Sequence, residues 1–307
     1  MARIIEADDL HQAVALIARD FKPIEGLRGI LVREGLLTRL QRSRAWRGGL
    51  AAVDSAFPKS PVYLVGATLS LVAVASVLQR PGSRGVESRT RSWLLAEQGE
   101  IEQDFVSAYA RLAERREALR LIRGEPTLTL LVDGEILPRR GRSPLWEEVL
   151  RLSLELADSG SCIAGVLKRS YSRTVGRRLG LDLSDRVLAS ATLRRGEAII
   201  VEHSVRDLRA RGCLEALYKP LRGIPAAVRV EFCGCEPLPF LSWLASSAGP
   251  SGLPWPIDLV DSLAKKEAAR IAAVETLLLS KLARRELQHL GYTANPQESM
   301  RKRREEG

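Results

Sequence analysis

The sequence has few cysteines, and none of them lies in a common metal-binding spacing. The four are Cys162, Cys213, Cys233 and Cys235, and no two form a CxxC pair. This absence argues against a zinc ribbon or zinc finger, and the single residue between Cys233 and Cys235 is a weak metal signal. We therefore expect buried free thiols, with disulfides as the alternative for a protein from a hyperthermophile.

The sequence also lacks the marks of a secreted, membrane-spanning or repeat protein. Glu6, Asp8 and Asp9 interrupt the start, where a signal peptide would be apolar. The apolar run at 62–78 contains many β-branched residues and Gly66, which favours one long strand or two buried strands over a transmembrane helix. No internal repeat and no long linker divide the chain. We therefore expect one α/β domain in a cytoplasmic protein without membrane contact.

Positive charge exceeds negative charge in this chain. The 307 residues include 47 lysines and arginines against 37 aspartates and glutamates, which gives a formal net charge of +10. This balance indicates a polyanionic partner, most simply nucleic acid, and the arginines can bind phosphates bidentately. An arginine-rich genome or a heat-adapted surface would give the same balance. The apolar content of 45% predicts a folded core.

Helical and strand patterns alternate along the chain. The helices are predicted at 9–21, 29–42, 92–122, 143–160, 168–180 and 256–289. The strands are predicted at 49–57, 62–78, 127–133, 161–167, 196–203 and 226–232, and a loop at 80–88.

Two predicted strands end in an aspartate. Asp54 and Asp133 each follow an apolar run, and a small residue, Ser55 or Gly134, comes next. If the two strands are neighbours, both carboxylates emerge at one edge and repel each other unless a divalent cation neutralises them. Oxygen ligands of this kind suit Mg²⁺ or Mn²⁺, which support phosphodiester hydrolysis. Either aspartate alone is better explained as the start of a turn.

Further carboxylates lie on the helices before and after these strands. Glu114 and Glu117 precede the Asp133 strand, and Asp258 and Asp261 lie near the start of the C-terminal helix. Glu114 lies one turn before a small alanine, so we expect it to lean inward. Glu117 lies between two arginines, so we expect it to be ion-paired in solvent. Solvated helix faces and N-terminal capping are the alternative explanations.

A basic segment follows the strand at 161–167. Residues 168–178 contain five basic residues and no acidic one. Arg169, Arg173 and Arg177 are spaced by four, so one helical face could contact successive phosphates. Tyr171 could stack on a base or a sugar. An ordinary basic surface helix is the alternative.

Five short segments, taken in order, resemble the NurA nuclease family of archaea and some bacteria. They are AAVDSAF, LTLLVDGEIL, IAGVLKRS, AVRVEF and LPWPIDLVDSLAK, and the resemblance covers about residues 45 to 275. It implies an α/β fold of the ribonuclease H-like type, a mixed central sheet flanked by helices. On this basis we expect N-terminal helices at 1–45 packed on the core, a nuclease domain at 46–291 and a disordered tail at 292–307.

The resemblance also implies an activity and partners. NurA-family proteins are Mn²⁺-dependent DNA nucleases, so we expect Mn²⁺ or Mg²⁺ as the cofactor. The expected activities are a 5′ to 3′ exonuclease and a single-strand endonuclease. The expected partners are DNA, a second copy of the chain and the hexameric HerA translocase, which acts in DNA end resection for recombination repair. A catalytically degenerate DNA-binding subunit and a basic structural protein are the rival interpretations.

The resemblance assigns roles to individual residues. Asp54 and Asp133 match the family's metal-binding aspartates. Glu114 is the first choice for the family's helix glutamate, and Glu117 is the second. Lys168 matches a lysine at a strand end, where it would hold a phosphate oxygen or stabilise developing charge.

Four residues depart from the family pattern. Asp261 lies where many members carry histidine, and an aspartate there can bind metal but cannot replace a histidine in proton transfer. Ser55 and Ala56 after the first aspartate, and Glu135 after Asp133 and Gly134, also differ from the commonest pattern.

Overall fold

A computed structural model describes residues 25–283, apart from 44–45, 47, 59–60, 65–66, 99, 169–171 and 182. The predicted helix at 9–21 and the predicted disordered tail lie outside the described residues.

Within these described residues, ten strands form one mixed sheet. They are β1 (Leu37–Arg39), β2 (Leu50–Ala56), β3 (Val62–Leu64), β4 (Ala67–Gln79), β5 (Glu87–Glu97), β6 (Thr129–Asp133), β7 (Cys162–Leu167), β8 (Glu197–Glu202), β9 (Leu214–Tyr218) and β10 (Val228–Cys233). The strand order is β1-β8-β9-β10-β7-β6-β2-β4-β3, and β5 also pairs with β4. The pairs β2–β6 and β6–β7 are parallel, and the other pairs are antiparallel.

Helices cover both faces of the sheet. They are α1 (Glu25–Arg33), α2 (Gln103–Gly124), α3 (Leu145–Ala157), α4 (Thr174–Arg178), α5 (Asp185–Thr192), α6 (Arg206–Arg209), α7 (Pro237–Ser246) and α8 (Trp255–Ala283). Helices α2 and α3 pack on one face and α7 and α8 on the other, each over its own apolar cluster. This arrangement confirms the predicted α/β fold with a mixed central sheet flanked by helices.

Side-chain alternation along the central strands separates the two cores. In β2, Ala51 and Val53 pack with α2, whereas Leu50 and Ala52 pack on the α8 side. Successive side chains of a strand point to opposite faces, so the residue after Val53 continues the α8-facing set. The same alternation in β6 places Asp133 on the α8 side. Asp54, which lies inside β2, and Asp133, which ends β6, therefore face the same helix.

The helical prediction for 92–122 is wrong over its first part. Residues 87–97 form β5, which pairs with β4 along its whole length, and α2 begins only at Gln103. The charged residues of β5 resemble a helix surface because nearly every side chain of this edge strand is exposed. Leu94 is 57% exposed. Pairing with a distant strand therefore overrides the local pattern.

The helix predicted at 29–42 is also too long. Helix α1 ends at Arg33, and Gly35 adopts a φ of 63°, which a helix cannot continue through. Residues 37–39 then form β1, which pairs with β8. The apolar run at 62–78 contributes to β3 and β4, as expected. Among the described residues, no helix is long and apolar enough to cross a membrane.

The expectation of four free thiols is wrong. The structure pairs Cys162 with Cys235 and Cys213 with Cys233. The sequence could not show this, because the pairing depends on β7, β10 and β9 lying side by side. Both disulfides lie at the end of these strands opposite to the end where β7 leads into Lys168.

Reducing the disulfides should destabilise the fold. The bridges span 73 and 20 residues, and loops of this size predict a stabilisation of about 3 to 4 kcal/mol for a single bridge. We expect the melting temperature to fall on addition of a reductant, and the Cys162→Ser/Cys235→Ser variant to reproduce part of the fall. Four thiols that react with a maleimide in the folded, untreated protein would contradict the pairing.

Candidate active site

Strands β2 and β6 place Asp54 beside Asp133. The strands are parallel neighbours with Val53 opposite Val132, so the next residue of each is an aspartate at the same edge. The Asp54 side chain is buried, and the Asp133 side chain is partly exposed. The predicted meeting of the two aspartates is therefore present in the structure, although β2 does not end at Asp54 but continues along β4 to Ala56.

Helix α8 adds a third carboxylate. Asp54, Asp133 and Asp261 each offer a carboxylate oxygen, and these oxygens lie within 4.8 Å of one another. Asp258, the other candidate on this helix, instead accepts a hydrogen bond from the Ser251 hydroxyl at 2.5 Å. The three aspartates line an open cleft of about 460 Å³, which Glu135 also lines.

Two lysines partly neutralise this cluster. Lys168 follows the end of β7, and its Nζ lies 2.5 Å from Asp133 Oδ2 and 2.6 Å from Asp261 Oδ1. Lys265 lies one turn after Asp261 and contacts its other oxygen at 2.7 Å. Lys168 therefore joins the two partly exposed carboxylates, in the position where the sequence predicts a residue that holds a phosphate.

Asp54 is the most deeply buried carboxyl of the cluster. Burial, together with the negative charges of Asp133 and Glu114, raises the pKa of Asp54 to about 9. Burial also raises the pKa of Asp133, against the opposing effect of Lys168. At Asp261, burial acts in the same direction, but hydrogen bonds from Lys168 and Lys265 lower its pKa overall. A buried carboxylate without its own cation, beside two others, has the chemistry of a divalent-cation site with oxygen ligands.

Glu114 approaches this site from the other face of the sheet. Its side chain is fully buried in α2 and accepts hydrogen bonds from Arg111 at 2.9 Å and from Arg115 at 2.6 Å. It also accepts one from the Ser55 hydroxyl at 3.0 Å, directly after Asp54. Glu114 thus reaches the site through Ser55 but lies outside the group of three carboxylates. Its role as a metal ligand stays a prediction.

The expected ion pair between Glu117 and a flanking arginine is present, with Arg120, but Glu117 is buried and not in solvent. Its side chain is only 6% exposed, and it accepts hydrogen bonds from Arg120 at 2.6 Å and from the Ser76 hydroxyl at 2.7 Å. Ser76 belongs to β4, directly beneath α2, and a single-sequence helix pattern cannot show this contact. Of the two glutamates, Glu114 is the one that contacts the neighbour of Asp54.

The basic segment after Lys168 does not form the predicted helix face. Residues 169–171, which include Arg169 and Tyr171, lie outside the described residues, and the helix α4 covers only Thr174–Arg178. Its start is fixed by Asp185, whose carboxylate accepts the backbone N–H groups of residues 174 and 176 at 2.8 and 2.9 Å. Arg173 therefore precedes the helix and Arg177 lies within it, and both are exposed.

The prediction missed the two arginines that surround Glu114. Arg111 Nη1 donates to the carbonyl oxygen of Asp133 at 2.7 Å, and Arg115 Nη2 donates to that of Glu135 at 2.6 Å. Their spacing of four residues, on either side of a candidate glutamate, was the signal in the sequence. It does not distinguish a buried pair from a solvated helix face.

The NurA domain family matches residues 40–265 of the chain. The chain belongs to the NurA family. Membership implies that the protein is a nuclease, and it agrees with the segments from which the family was expected. No curated protein matches the chain.

Solved structures of NurA proteins share the fold of this chain. The NurA nuclease from Sulfolobus solfataricus is 13% identical with a TM-score of 0.60, covering 91% of this chain and 98% of its own. A NurA structure with manganese is 12% identical with a TM-score of 0.58, covering 83% and 94%. A third, bound to dAMP and manganese, is 10% identical with a TM-score of 0.55, covering 84% and 93%. At these identities the similarity shows the fold alone.

Metal binding to the three aspartates should be visible as a change in stability. In metal-free buffer near neutral pH, Asp54→Asn should melt at a higher temperature than the wild type. The wild type must bind a proton at Asp54 in order to fold, because burial raises the pKa of this carboxyl to about 9, whereas asparagine needs none. Mn²⁺ at about a hundred times its dissociation constant should stabilise the wild type by about 2.7 kcal/mol. It should not stabilise Asp54→Asn. An equal Mn²⁺-induced shift in thermal melts of both proteins would place the cation elsewhere.

Proposed function

We propose that this NurA-family protein is a divalent-metal-dependent deoxyribonuclease whose active site is the cleft at Asp54. The observation that carries the proposal is the convergence of Asp54, Asp133 and Asp261, of which Asp54 is buried and has its pKa raised to about 9. Mn²⁺ is the proposed cofactor, with Mg²⁺ as the alternative, because both prefer carboxylate oxygens. The manganese in two of the solved NurA relatives supports this choice.

Each residue of the cleft has a proposed part in DNA hydrolysis. The three aspartates would hold the metal, and a bound ion of this kind supplies stabilisation of phosphate charge and activation of water. Lys168 Nζ, already in the cleft, would donate to a phosphate oxygen and stabilise the charge that develops there. Glu114 would act beside Asp54, either as a further ligand or by holding Ser55.

The net charge of the chain supports DNA as the substrate. With a formal charge of +10, the protein attracts a polyanion before any specific contact forms. Within the basic segment, we propose Lys168, Arg169, Tyr171, Arg173 and Arg177 as DNA contacts.

The family resemblance supports the finer parts of the proposal. These are 5′ to 3′ exonuclease and single-strand endonuclease activities, a homodimer, and action with a HerA-type hexameric translocase in DNA end resection and recombination repair. A degenerate DNA-binding subunit is the alternative. The presence of both strand-terminal aspartates argues against it, because a protein that only binds DNA gains nothing from two clustered like charges.

Cleavage assays on the aspartates test the proposal. Asp54→Asn and Asp133→Asn should each lower the Mn²⁺-dependent rate on end-labelled single-stranded DNA by a factor on the order of a hundred or more. Asp258→Asn is the matched control, because it changes a carboxylate of the same helix α8 that lies outside the cluster. The wild type should be inactive in EDTA. Wild-type rates in either strand variant would remove the cleft from the proposal.

The two helix glutamates should separate activity from stability. Glu114→Gln should lower cleavage by a factor on the order of a hundred, because Glu114 contacts the residue after Asp54. Glu117→Gln should leave cleavage nearly unchanged but lower the free energy of unfolding by about 1 to 3 kcal/mol, since a buried charged hydrogen bond to Arg120 is lost. Rates and chemical denaturation would be measured on the same samples. The reverse ranking of the two rates would move the functional glutamate to Glu117.

A further inference from the structure

The backbone that follows Asp133 crosses over β7 at a glycine. Gly134 N–H donates to the Val166 carbonyl at 2.9 Å, and Gly134 adopts a φ of 106° that lets the chain turn over the strand. A Cβ placed on Gly165 would lie 2.5 Å from the Gly134 oxygen and 2.9 Å from the Ile136 nitrogen. Both are backbone atoms, so a side chain at position 165 would displace this segment.

A buried carboxylate holds the same segment from β10. Glu231 lies opposite Gly165 in the antiparallel pair β10–β7, and its side chain is 2% exposed. Its Oε1 accepts the N–H of Ile136 at 2.5 Å, and its Oε2 lies 2.6 Å from His203 Nε2. His203 Nδ1 accepts the N–H of Val205 at 3.0 Å, so the ring proton lies on Nε2 and is donated to Glu231. Both oxygens of Glu231 are thus fixed.

Helix α2 holds the carbonyl groups of this segment from the other side. Arg111 binds the carbonyl of Asp133, and Arg115 binds those of Glu135 and Ile136 at 2.6 and 3.2 Å. The carbonyls are therefore held by arginines and the Ile136 N–H by Glu231. Asp133 directly precedes this segment, so a shift of the segment's backbone would move the Asp133 carboxylate.

We propose that Glu231 and Gly165 are positioning residues for the metal site. Together they fix the position of the backbone of residues 134–136. They thereby hold the Asp133 carboxylate beside Asp54 and Asp261. Neither residue lines the cleft, and neither is expected to touch the metal or DNA. The expected effect on metal binding rests on the proposed function. The effect on the position of the 134–136 backbone can be measured without metal.

Glu215 provides a matched control for Glu231. It lies opposite Glu231 on the adjacent strand β9, is 4% exposed, and is likewise held by buried polar groups. Its hydrogen bonds come from Ser204 and Arg229, and none of its described contacts reaches the 134–136 segment. Glu215→Gln and Glu231→Gln each remove one buried carboxylate charge from the same group of buried polar side chains. Only Glu231→Gln changes a residue that contacts the 134–136 segment.

The test combines calorimetry with Mn²⁺ and hydrogen–deuterium exchange. Glu231→Gln should weaken Mn²⁺ binding by about tenfold or more, as expected for a residue that orients a ligand. Glu215→Gln should stay within about twofold of the wild type, because it does not contact the segment. In metal-free protein, the peptide spanning 133–137 should exchange faster in Glu231→Gln than in Glu215→Gln. Gly165→Ala should reproduce both effects, with Gly124→Ala as control, since a Cβ there meets nothing within 4 Å.

The possible outcomes separate this proposal from the function on which it rests. Wild-type Mn²⁺ affinity and exchange in folded Glu231→Gln and Gly165→Ala would overturn it. Equal losses in Glu215→Gln would also overturn it, because they would indicate general destabilisation. If the wild type itself bound no Mn²⁺, the proposed function would fail. Unaltered exchange of the 133–137 peptide in Glu231→Gln and Gly165→Ala would then also reject the proposed positioning role of these two residues. If either Glu231→Gln or Gly165→Ala does not fold, the result from the other variant tests the proposal.

Discussion

The ion pair between Arg115 and Glu114 is the contact on which the site depends. Both side chains are fully buried, and a buried charge is costly unless it is paired and its remaining hydrogen-bonding groups are satisfied. Arg115 meets this condition by donating to Glu114, to Ser153 of α3 and to the carbonyls of residues 135 and 136. One guanidinium thus joins two helices to the backbone after β6. Removing either partner would leave the other as an unpaired buried charge.

The sheet distributes its charges between two faces. Glu114 and the two arginines beside it lie on the α2 side, where opposite charges satisfy one another. Asp54 and Asp133 emerge on the α8 side, where like charges meet and Lys168 and Lys265 oppose them. The charges on the α2 side are balanced, whereas the α8 side has more negative than positive charge. An added cation is therefore favoured on the second side only.

Strand-end aspartates were predictable from the sequence, because the pattern is local and the period of a strand fixes which face each residue takes. Asp54 and Asp133 were found in this way. The convergence of Asp261 was not, because spacing along a helix does not say which strands the helix crosses, and the family resemblance supplied it. The burial of Glu117 was missed because it depends on Ser76 of β4.

Longer-range contacts account for the other differences between prediction and structure. Strand β5 has a helix-like distribution of charges, and only its pairing with β4 makes it a strand. The cysteines have no informative spacing, and only the adjacency of β7, β10 and β9 brings them together. Glu231 and His203 were not singled out for the same reason. Each is one polar residue in or beside an apolar strand, and its partner lies on another strand or in a loop.

The exposed strand β5 determines how the sheet ends on that side. Among the described residues, no strand pairs with its outer edge, so a row of backbone donors and acceptors faces solvent. Such an edge can recruit an extended segment of another chain and begin aggregation. Arg89 and Arg91 project from this edge strand, and a second copy docked there would bring further arginines close to them. Charge repulsion and the hydration of these side chains therefore disfavour edge-to-edge association of two copies.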